Sequence, residues 1–164
     1  MIDFALRDCV ETDYHSIIEL NAAEIEKTSA MDLDRLNALV SLSSYTKVAV
    51  VAGEVAAFLF AIRHGADYQN VNYNWFASRF STFFYIDRIV VGSRFAGLGI
   101  GRAMYEDLFT YVRFHSLGHV TCEYNIDPPN LASKAFHNKF GFKELGTQWV
   151  AGGSKQVSFQ AANE

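Results

Sequence analysis

Three alternating glycines stand where the sequence is best suited to bind an anion. They lie in the run Ala96-Gly97-Leu98-Gly99-Ile100-Gly101, between the apolar segment 82–91 and a segment with helical periodicity. The N-terminus of a helix presents unpaired backbone N–H groups and a partial positive charge. Glycine lets several of these groups approach one phosphate, because no Cβ stands in the way. We therefore expect the run to bind a pyrophosphate; a turn that binds nothing would need only one glycine.

Two common phosphate-binding loops do not match this run. The Walker loop requires Gly-Lys-Ser/Thr, whereas Gly101 is followed by Arg102 and Ala103. The dinucleotide fingerprint GxGxxG fails because its third glycine would fall on Arg102 or Met104. These mismatches disfavour an ATP-binding or NAD-binding domain.

Ionisable residues in apolar surroundings are the candidates for proton transfer. Asp87 and Glu123 each lie within an apolar predicted strand, where a carboxylate acquires a raised pKa or needs a partner. Asn130 and His137 are two helical turns apart and would share one face of a helix. A histidine can donate a proton near neutral pH. The alternatives are an ion pair of Asp87 with Arg63 or Arg88, a helix cap at Asn130 and a surface position for His137.

The elements that would position these residues alternate as β-α-α-β-β-β-α-β-α-β-β. The apolar patterning predicts strands at 4–9, 46–51, 54–64, 82–91, 119–124, 142–148 and 155–160. It predicts helices from Thr12 to about Ile25, at 31–43, at 100–116 and at 131–140, and a loop at 125–129. The segment 65–81 is rich in aromatic residues and is expected to hold a short helix near 72–80. This order predicts an α/β fold with a mixed sheet of about six to seven strands and helices on both faces.

The composition limits the functional classes. The chain of 164 residues fits one domain, 1–164, and half of its residues are apolar. The net charge of −4 argues against nucleic-acid or anionic-membrane partners. The N-terminus does not resemble a signal peptide, and no apolar run approaches the roughly 20 residues of a membrane helix, so a cytoplasmic location is expected. Cys9 and Cys122 are expected to be buried thiols, and no Cys/His spacing predicts a metal site.

Two motifs resemble those of one enzyme family. The segment from Ile89-Val90-Val91 to Gly101-Arg102-Ala103 resembles motif A of the GNAT superfamily of N-acetyltransferases, which reads Q/R-x-x-G-x-G/A. The segment from Asn130 to Phe142 resembles motif B, roughly N-x-x-A/S-x-x-F-Y-x-x-x-G-F. The resemblance implies a GNAT fold in which the strand before motif A separates from the next strand and acetyl-CoA enters the gap. It also implies transfer of an acetyl group directly to an amine, on a small molecule or a protein N-terminus, without a metal.

The resemblance assigns roles to particular residues. His137 replaces the tyrosine that protonates the departing thiolate in many members, and Glu123 or Asp87 would be the general base unless a water serves instead. The cofactor-binding residues implied are Ile89, Val90, Val91, Ala96, Gly97, Leu98, Gly99, Ile100, Gly101, Arg102, Asn130, Ser133 and His137. Ala96 stands where the family has Gln or Arg, so the turn must rely on backbone donors, with Arg94 and Arg102 as the only nearby charges.

Several functional points stay open at the level of sequence. The alternative to an enzyme is a non-catalytic acyl-CoA-binding sensor or partner module of the same fold. The acceptor would bind between the loop Thr28–Asp32, the central strand and the final hairpin around Trp149. Segment 65–81 is hypothesised to form an aromatic lid through Tyr73, Trp75 and Phe76. Many relatives dimerise, which leaves a homodimer open.

Overall fold

A seven-stranded mixed sheet forms the centre of the computed structural model, which describes residues 2–25 and 28–163. The ends of the predicted domain, 1 and 164, therefore lie outside the described residues. The strands are β1 (Ala5–Asp8), β2 (Tyr45–Val51), β3 (Glu54–Arg63), β4 (Phe83–Val91), β5 (His119–Asp127), β6 (Lys143–Val150) and β7 (Lys155–Ala162). They lie in the order β1-β2-β3-β4-β5-β7-β6, and only β4 and β5 run parallel. The predicted fold class is confirmed.

Helices cover both faces of the sheet. They are α1 (Tyr14–Ala23), α2 (Leu33–Leu42), α3 (Val71–Ala77), α4 (Ile100–His115) and α5 (Leu131–Lys139). Ile17 of α1, Leu36 of α2 and Phe76 of α3 belong to one buried cluster, whereas α4 and α5 pack into the other. Strand β3 serves both, because its successive side chains point to opposite faces: Phe58 and Phe60 join the first cluster and Leu59 joins the second.

The parallel pair β4 and β5 separates after a short stretch of pairing. The paired residues are Phe83 with His119, Phe84 with Val120, and Tyr85 with Thr121. A β-bulge follows on β4, where Ile86 and Arg88 face consecutive residues of β3 and Asp87 lies between them. Bulges bend a strand and redirect its side chains. The described residues therefore contain a gap in the middle of the sheet, as the resemblance to the GNAT family predicted.

Two local predictions are corrected by tertiary contacts. Segment 125–129 was expected to be a loop, but β5 extends to Asp127 because its end pairs with β7. The first helix begins at Tyr14, after a 3-10 turn at Glu11–Asp13, instead of at Thr12. The helix also ends at Ala23, before Ile25, which is exposed; Asn21 is buried, and its side-chain amide donates to the Ser29 carbonyl. Among the described residues, no helix combines the length and the apolar character needed to cross a membrane.

Candidate active site

A cavity of about 320 Å³ opens where β4 and β5 separate. Its walls are those expected for the acceptor: Thr28 and Ser29 of the α1–α2 loop, strand β4, and the hairpin of β6 and β7. From the hairpin, Val150 and Ala151 line the cavity, whereas Trp149 is half exposed and does not. The remaining wall residues include Asn70, Asn72, Tyr85, Asp87, Arg88, Tyr105, Cys122, Glu123, Tyr124, Asn125 and Lys155.

A second cavity, of about 280 Å³, lies between the end of β4 and helix α5. Seven of the residues expected to bind the cofactor line it: Ile89, Val90, Val91, Gly101, Asn130, Ser133 and His137. Glu24, Ala132 and Phe136 also line it and were not expected. The lining is mostly apolar and includes the part of β4 beyond its pairing with β5, which suits a long flexible ligand that binds along a strand edge.

The glycine turn leads from β4 into α4. Gly97 and Gly99 have φ values of 79° and 81°, in the left-handed region that favours glycine. Gly99 is the N-cap of α4 and makes no side-chain cap bond, so the first N–H groups of the helix have no side-chain acceptor at that position. Apart from the glycine itself and its chain neighbours, no heavy atom of the described residues lies within 4 Å of where a Cβ would stand on Gly97 or Gly99. The space and the exposed N–H groups fit a pyrophosphate.

Of the described residues 96–102, Gly101 alone lines the second cavity. The Ile100 side chain is buried in the core beneath α4, and Leu98 packs against the same cluster. Arg94 and Arg102 are exposed and already form ion pairs, with Glu54 at 2.7 Å and with Glu106 at 2.7 Å. Ala96 follows the 3-10 turn Ser93–Phe95 in extended backbone. Both arginines are therefore already paired, and the expected contact with an anion falls to the backbone N–H groups of the turn.

The two cavities meet at four shared residues. Ile89, Asn130, Ser133 and His137 line both. Asn130 also caps α5, because its side chain accepts a hydrogen bond from the Ser133 N–H at 3.2 Å. A ligand that runs along β4 in the second cavity would therefore reach the first cavity beside His137.

Glu123 is the carboxylate placed for proton transfer in the first cavity. The Tyr85 hydroxyl donates to both of its oxygens at 2.8 Å, and Asn72 Nδ2 donates to Oε1 at 2.9 Å. Burial raises the pKa of Glu123 to about 8, although these hydrogen bonds oppose the shift. The carboxyl group is thus neutral at low pH and becomes a base in the range where amines lose protons.

Asp87 lies in the same cavity in a different setting. Arg88 Nε donates to Asp87 Oδ2 at 2.7 Å, which confirms the ion pair with Arg88 that was considered from the sequence. Arg63, the other partner considered, is exposed. The Tyr68 hydroxyl donates to Oδ1 at 2.5 Å. Arg88 also donates to the Ser29 carbonyl and hydroxyl. Both Asp87 oxygens are therefore engaged, and the group ties β4 to the α1–α2 loop through Arg88.

His137 is buried, which contradicts the alternative of a surface histidine. Nδ1 lies 2.7 Å from the Ser133 carbonyl oxygen, which can only accept, so Nδ1 carries the proton. Nε2 then accepts from the Tyr105 hydroxyl, 2.7 Å away. Burial lowers the pKa of His137. The ring is therefore neutral at pH 7, and its one proton is bonded to the main chain.

The aromatic segment 65–81 does not form the lid that its composition predicted. Tyr73 and Phe76 are buried, and Trp75 stacks on Phe159 with ring centroids 4.1 Å apart. The aromatic side chains thus hold α3 against the sheet, and the polar residues Asn70 and Asn72 line the cavity instead. Asn72 and Tyr105 had no signal in the sequence, because their partners Glu123 and His137 lie far along the chain.

Comparison with known proteins supports this architecture. Residues 9–142 match the acetyltransferase (GNAT) family. The chain belongs to the GNAT acetyltransferase family. No curated protein matches the sequence. In the residues that the structure describes, no group of three His, Cys, Asp or Glu side chains could hold a metal ion.

Solved structures of GNAT proteins share the whole fold at low sequence identity. Ard1 from Thermoplasma volcanium is 18% identical, with a TM-score of 0.80, over 98% of this chain and 97% of that chain. Ribosomal-protein-alanine N-acetyltransferase from Brucella melitensis is 20% identical, with a TM-score of 0.75, over 98% and 99%. Naa50 from Arabidopsis thaliana, in complex with the bisubstrate analogue CoA-Ac-MVNAL, is 12% identical, with a TM-score of 0.76, over 99% and 100%.

Proposed function

We propose that this GNAT protein transfers an acetyl group from acetyl-CoA directly to an amine, with Glu123 as the general base. The observation that carries the proposal is the meeting of the two cavities at Ile89, Asn130, Ser133 and His137, with Glu123 in the wall of one of them. A thioester in the second cavity and an amine in the first would be held next to each other at this point. Such alignment is a large part of the catalysis of a two-substrate reaction.

The residues expected to bind acetyl-CoA form two groups, one for its pyrophosphate and one for its pantetheine arm. The turn from Ala96 to Arg102 would hold the pyrophosphate through backbone N–H groups, and the end of β4 from Ile89 to Val91 would pair with the pantetheine arm. Acetyl-CoA supplies the activated acetyl thioester. The unpaired edge of β4 beyond Tyr85 provides N–H groups that can polarise a carbonyl at the gap.

Glu123 is the better of the two candidate bases. Its carboxylate faces only neutral hydrogen-bond donors, whereas the Asp87 carboxylate is neutralised by Arg88 and bonded to Tyr68. A base works best when its pKa lies near the working pH, and that of Glu123 is about 8. We therefore assign Asp87 to holding Arg88 and the α1–α2 loop beside the acceptor.

The pKa of Glu123 favours an α-amine acceptor over a lysine side chain. An α-amino group has a pKa of about 7.7–8.0, whereas lysine has about 10.4. Transfer of a proton from an α-ammonium to Glu123 is thus nearly balanced, and transfer from lysine is uphill. The Naa50 complex with CoA-Ac-MVNAL and the ribosomal-protein-alanine enzyme are named for peptide or protein acceptors, which supports a protein N-terminus.

His137 is proposed to shape the junction of the cavities beside the departing sulfur without donating a proton to it. The assistance required is modest, because a thiol has a pKa of about 8.5 and its thiolate leaves readily near neutral pH. The neutral ring has no free proton, since Nδ1 donates to Ser133 and Nε2 accepts from Tyr105. Acid catalysis by His137 would therefore need the imidazolium form, which its lowered pKa restricts to low pH.

The test compares wild type with Glu123→Gln on acetyl-CoA and a panel of acceptors. The panel contains peptides with free N-termini, N-blocked peptides that contain lysine, and small amines, and thiol release is followed by colorimetry and mass spectrometry. Glu123→Gln should lower kcat/KM by ~10²–10³-fold, the usual size of a general-base effect. In wild type, kcat/KM should rise with pH up to about 8 as Glu123 ionises.

The control for this experiment is Glu19→Gln, an exposed carboxylate on α1. Its kinetics should match those of wild type. Tight CoA binding without turnover of any amine would contradict the proposal and support the non-catalytic acyl-CoA-binding module. Turnover that is unaffected by Glu123→Gln would leave acetyl transfer standing and remove Glu123 as the base.

A further inference from the structure

Asn72 is held rigidly in the wall of the acceptor cavity by helix α3. The Asn70 side chain caps this helix by accepting hydrogen bonds from the Asn72 and Tyr73 N–H groups, both at 3.0 Å. Tyr73 and Phe76 are buried beneath it, and the Tyr73 hydroxyl donates to the Arg63 carbonyl at 2.7 Å. The position of Asn72 is therefore set by the core and does not depend on a mobile loop.

Only one of the two polar atoms of the Asn72 amide makes a hydrogen bond among the described residues. Nδ2 donates to Glu123 Oε1 at 2.9 Å, while Oδ1 is buried and accepts no hydrogen bond within the part of the chain that the structure describes. A buried acceptor without a donor destabilises a fold, and such atoms are rare. An apolar side chain of the same shape would avoid that cost. The bond to Glu123 accounts for Nδ2 but not for Oδ1, which needs a donor that arrives with the substrate.

We propose that Asn72 orients the acceptor amine, by fixing the Glu123 carboxylate through Nδ2 and by accepting an N–H of the amine at Oδ1. This inference rests on the proposed acetyl transfer and adds a recognition residue to it. One planar amide would then set the direction of both the base and the nucleophile. The amine would lie within reach of Glu123 and of the junction where the two cavities share Ile89, Asn130, Ser133 and His137.

Glu123 receives a hydrogen bond from helix α3 through the neutral amide of Asn72. The charged or titratable groups on the other elements are Tyr85, Asp87 and Arg88 of β4, Tyr105 of α4, Cys122 and Tyr124 of β5, His137 of α5 and Lys155 of β7. Asp87 raises the pKa of Glu123, and Arg88 and the two hydrogen bonds lower it. Loss of the Asn72 bond should therefore favour the protonated form of Glu123.

The decisive variant is Asn72→Leu, which keeps the shape of the side chain and removes both polar ends. The acidic limb of kcat/KM, where activity rises as Glu123 ionises, should move to higher pH by about one unit, because Glu123 loses a donor to its charged form. The KM for the acceptor should rise about five- to tenfold, the effect of one hydrogen bond. The Kd for acetyl-CoA should not change. The matched control is Asn74→Leu, an exposed position on the same helix.

A stability measurement separates this role from a structural one. Asn72→Leu should melt no lower than wild type, because the unpaired Oδ1 disappears together with the Glu123 bond. Asn72→Ala serves as the second variant and should give the same kinetic pattern. A folded Asn72→Leu variant with an unchanged pH profile and an unchanged acceptor KM would overturn the inference while leaving the proposed acetyl transfer intact.

Carboxyl ¹³C NMR titration of Glu123 gives a readout that does not need turnover. The Glu123 pKa should rise in Asn72→Leu relative to wild type and to Asn74→Leu. An unchanged titration would overturn the inference even in an active enzyme. If the Glu123 pKa rises in Asn72→Leu but the protein acetylates no amine, the contact between Asn72 and Glu123 would be confirmed. The proposed function would then be contradicted, and the proposal that Asn72 binds the acceptor amine would be overturned with it.

Discussion

Glu123 makes the stability of the protein depend on pH. Its pKa rises from an ordinary value of 4.5 in the unfolded chain to about 8 in the fold, chiefly because of burial. Since the folded pKa is raised, the associated stability is fully present below pH 4.5 and is lost as the pH rises through about 8. The free energy of unfolding should thus fall by up to about 1.4 kcal/mol per pH unit across this window.

Glu123→Gln should therefore gain thermal stability over wild type as the pH increases. The two proteins are compared by calorimetry from pH 5 to pH 9, and their Tm difference should widen by about 2–4 °C for each kcal/mol. At pH 8, Glu123→Gln would then be less active than wild type but more stable. A Tm difference that stays constant with pH would show that Glu123 titrates at its ordinary value and would contradict its burial as the cause.

At the scale of single residues, the sequence indicated which residues are candidates for the site better than it indicated which residues contact them. An apolar strand around Glu123 indicated a perturbed carboxylate, and Arg88 next to Asp87 indicated an ion pair, because both signals are local. The Tyr85 and Asn72 donors to Glu123 come from residues 38 and 51 positions away along the chain. The burial of His137 against Tyr105 likewise depends on how α4 and α5 pack. These contacts determine the protonation states and could not be read from spacing.

At the scale of elements, the turn between β4 and α4 was predicted in place, but its backbone conformation was not. Gly97 and Gly99 have positive φ values, which glycine adopts readily, whereas Gly101 lies within α4. The separation of β4 from β5 came only from the family resemblance, since strand patterning does not show where pairing stops, and the bulge at Asp87 was not predicted. The aromatic segment 65–81 was misread because its composition resembles an interaction surface, whereas its rings fill the core around Phe159 and Phe83.

The turn can be tested with a pair of glycines that share the same backbone strain. Gly99 and Gly65 have φ values of 81° and 80°. In the part of the chain that the structure describes, only their own atoms and chain neighbours lie within 4 Å of the position that a Cβ would take. Valine at either site should lower stability by a similar amount, about 1–3 kcal/mol. Only Gly99→Val should weaken CoA binding, by at least about tenfold in Kd measured by calorimetry, because its side chain would occupy the anion space.

Gly65→Val controls for strain because Gly65 lies beyond the end of β3, away from the α4 turn. Equal CoA affinities in the two variants would refute the role of the turn in anion binding. A loss of affinity in both would mean that strain spreads through the sheet, and the assignment of the turn would then lose its support.

At the scale of the whole molecule, the layout explains how one gap would serve both substrates of the proposed reaction. Glu123 and Tyr124 are neighbours on β5 and point to opposite faces of the sheet, yet both line the first cavity because β4 has moved away. Glu123, the proposed base, thus reaches the gap from the side of α3, and His137 reaches it from the side of α5. A closed parallel pair would bury both groups and leave no path between them.

This arrangement predicts a ternary complex and no acetylated enzyme. Cys122 is the one thiol in the acceptor wall within the described residues, and burial raises its pKa well above the usual range, so it stays a poor nucleophile. Since the two cavities are distinct and meet at four residues, both substrates can bind at once. Initial velocities measured against both concentrations should give intersecting double-reciprocal lines, and Cys122→Ser should keep kcat within about threefold of wild type. Parallel lines, together with loss of activity in Cys122→Ser, would instead require an acetyl-cysteine intermediate and would remove direct transfer.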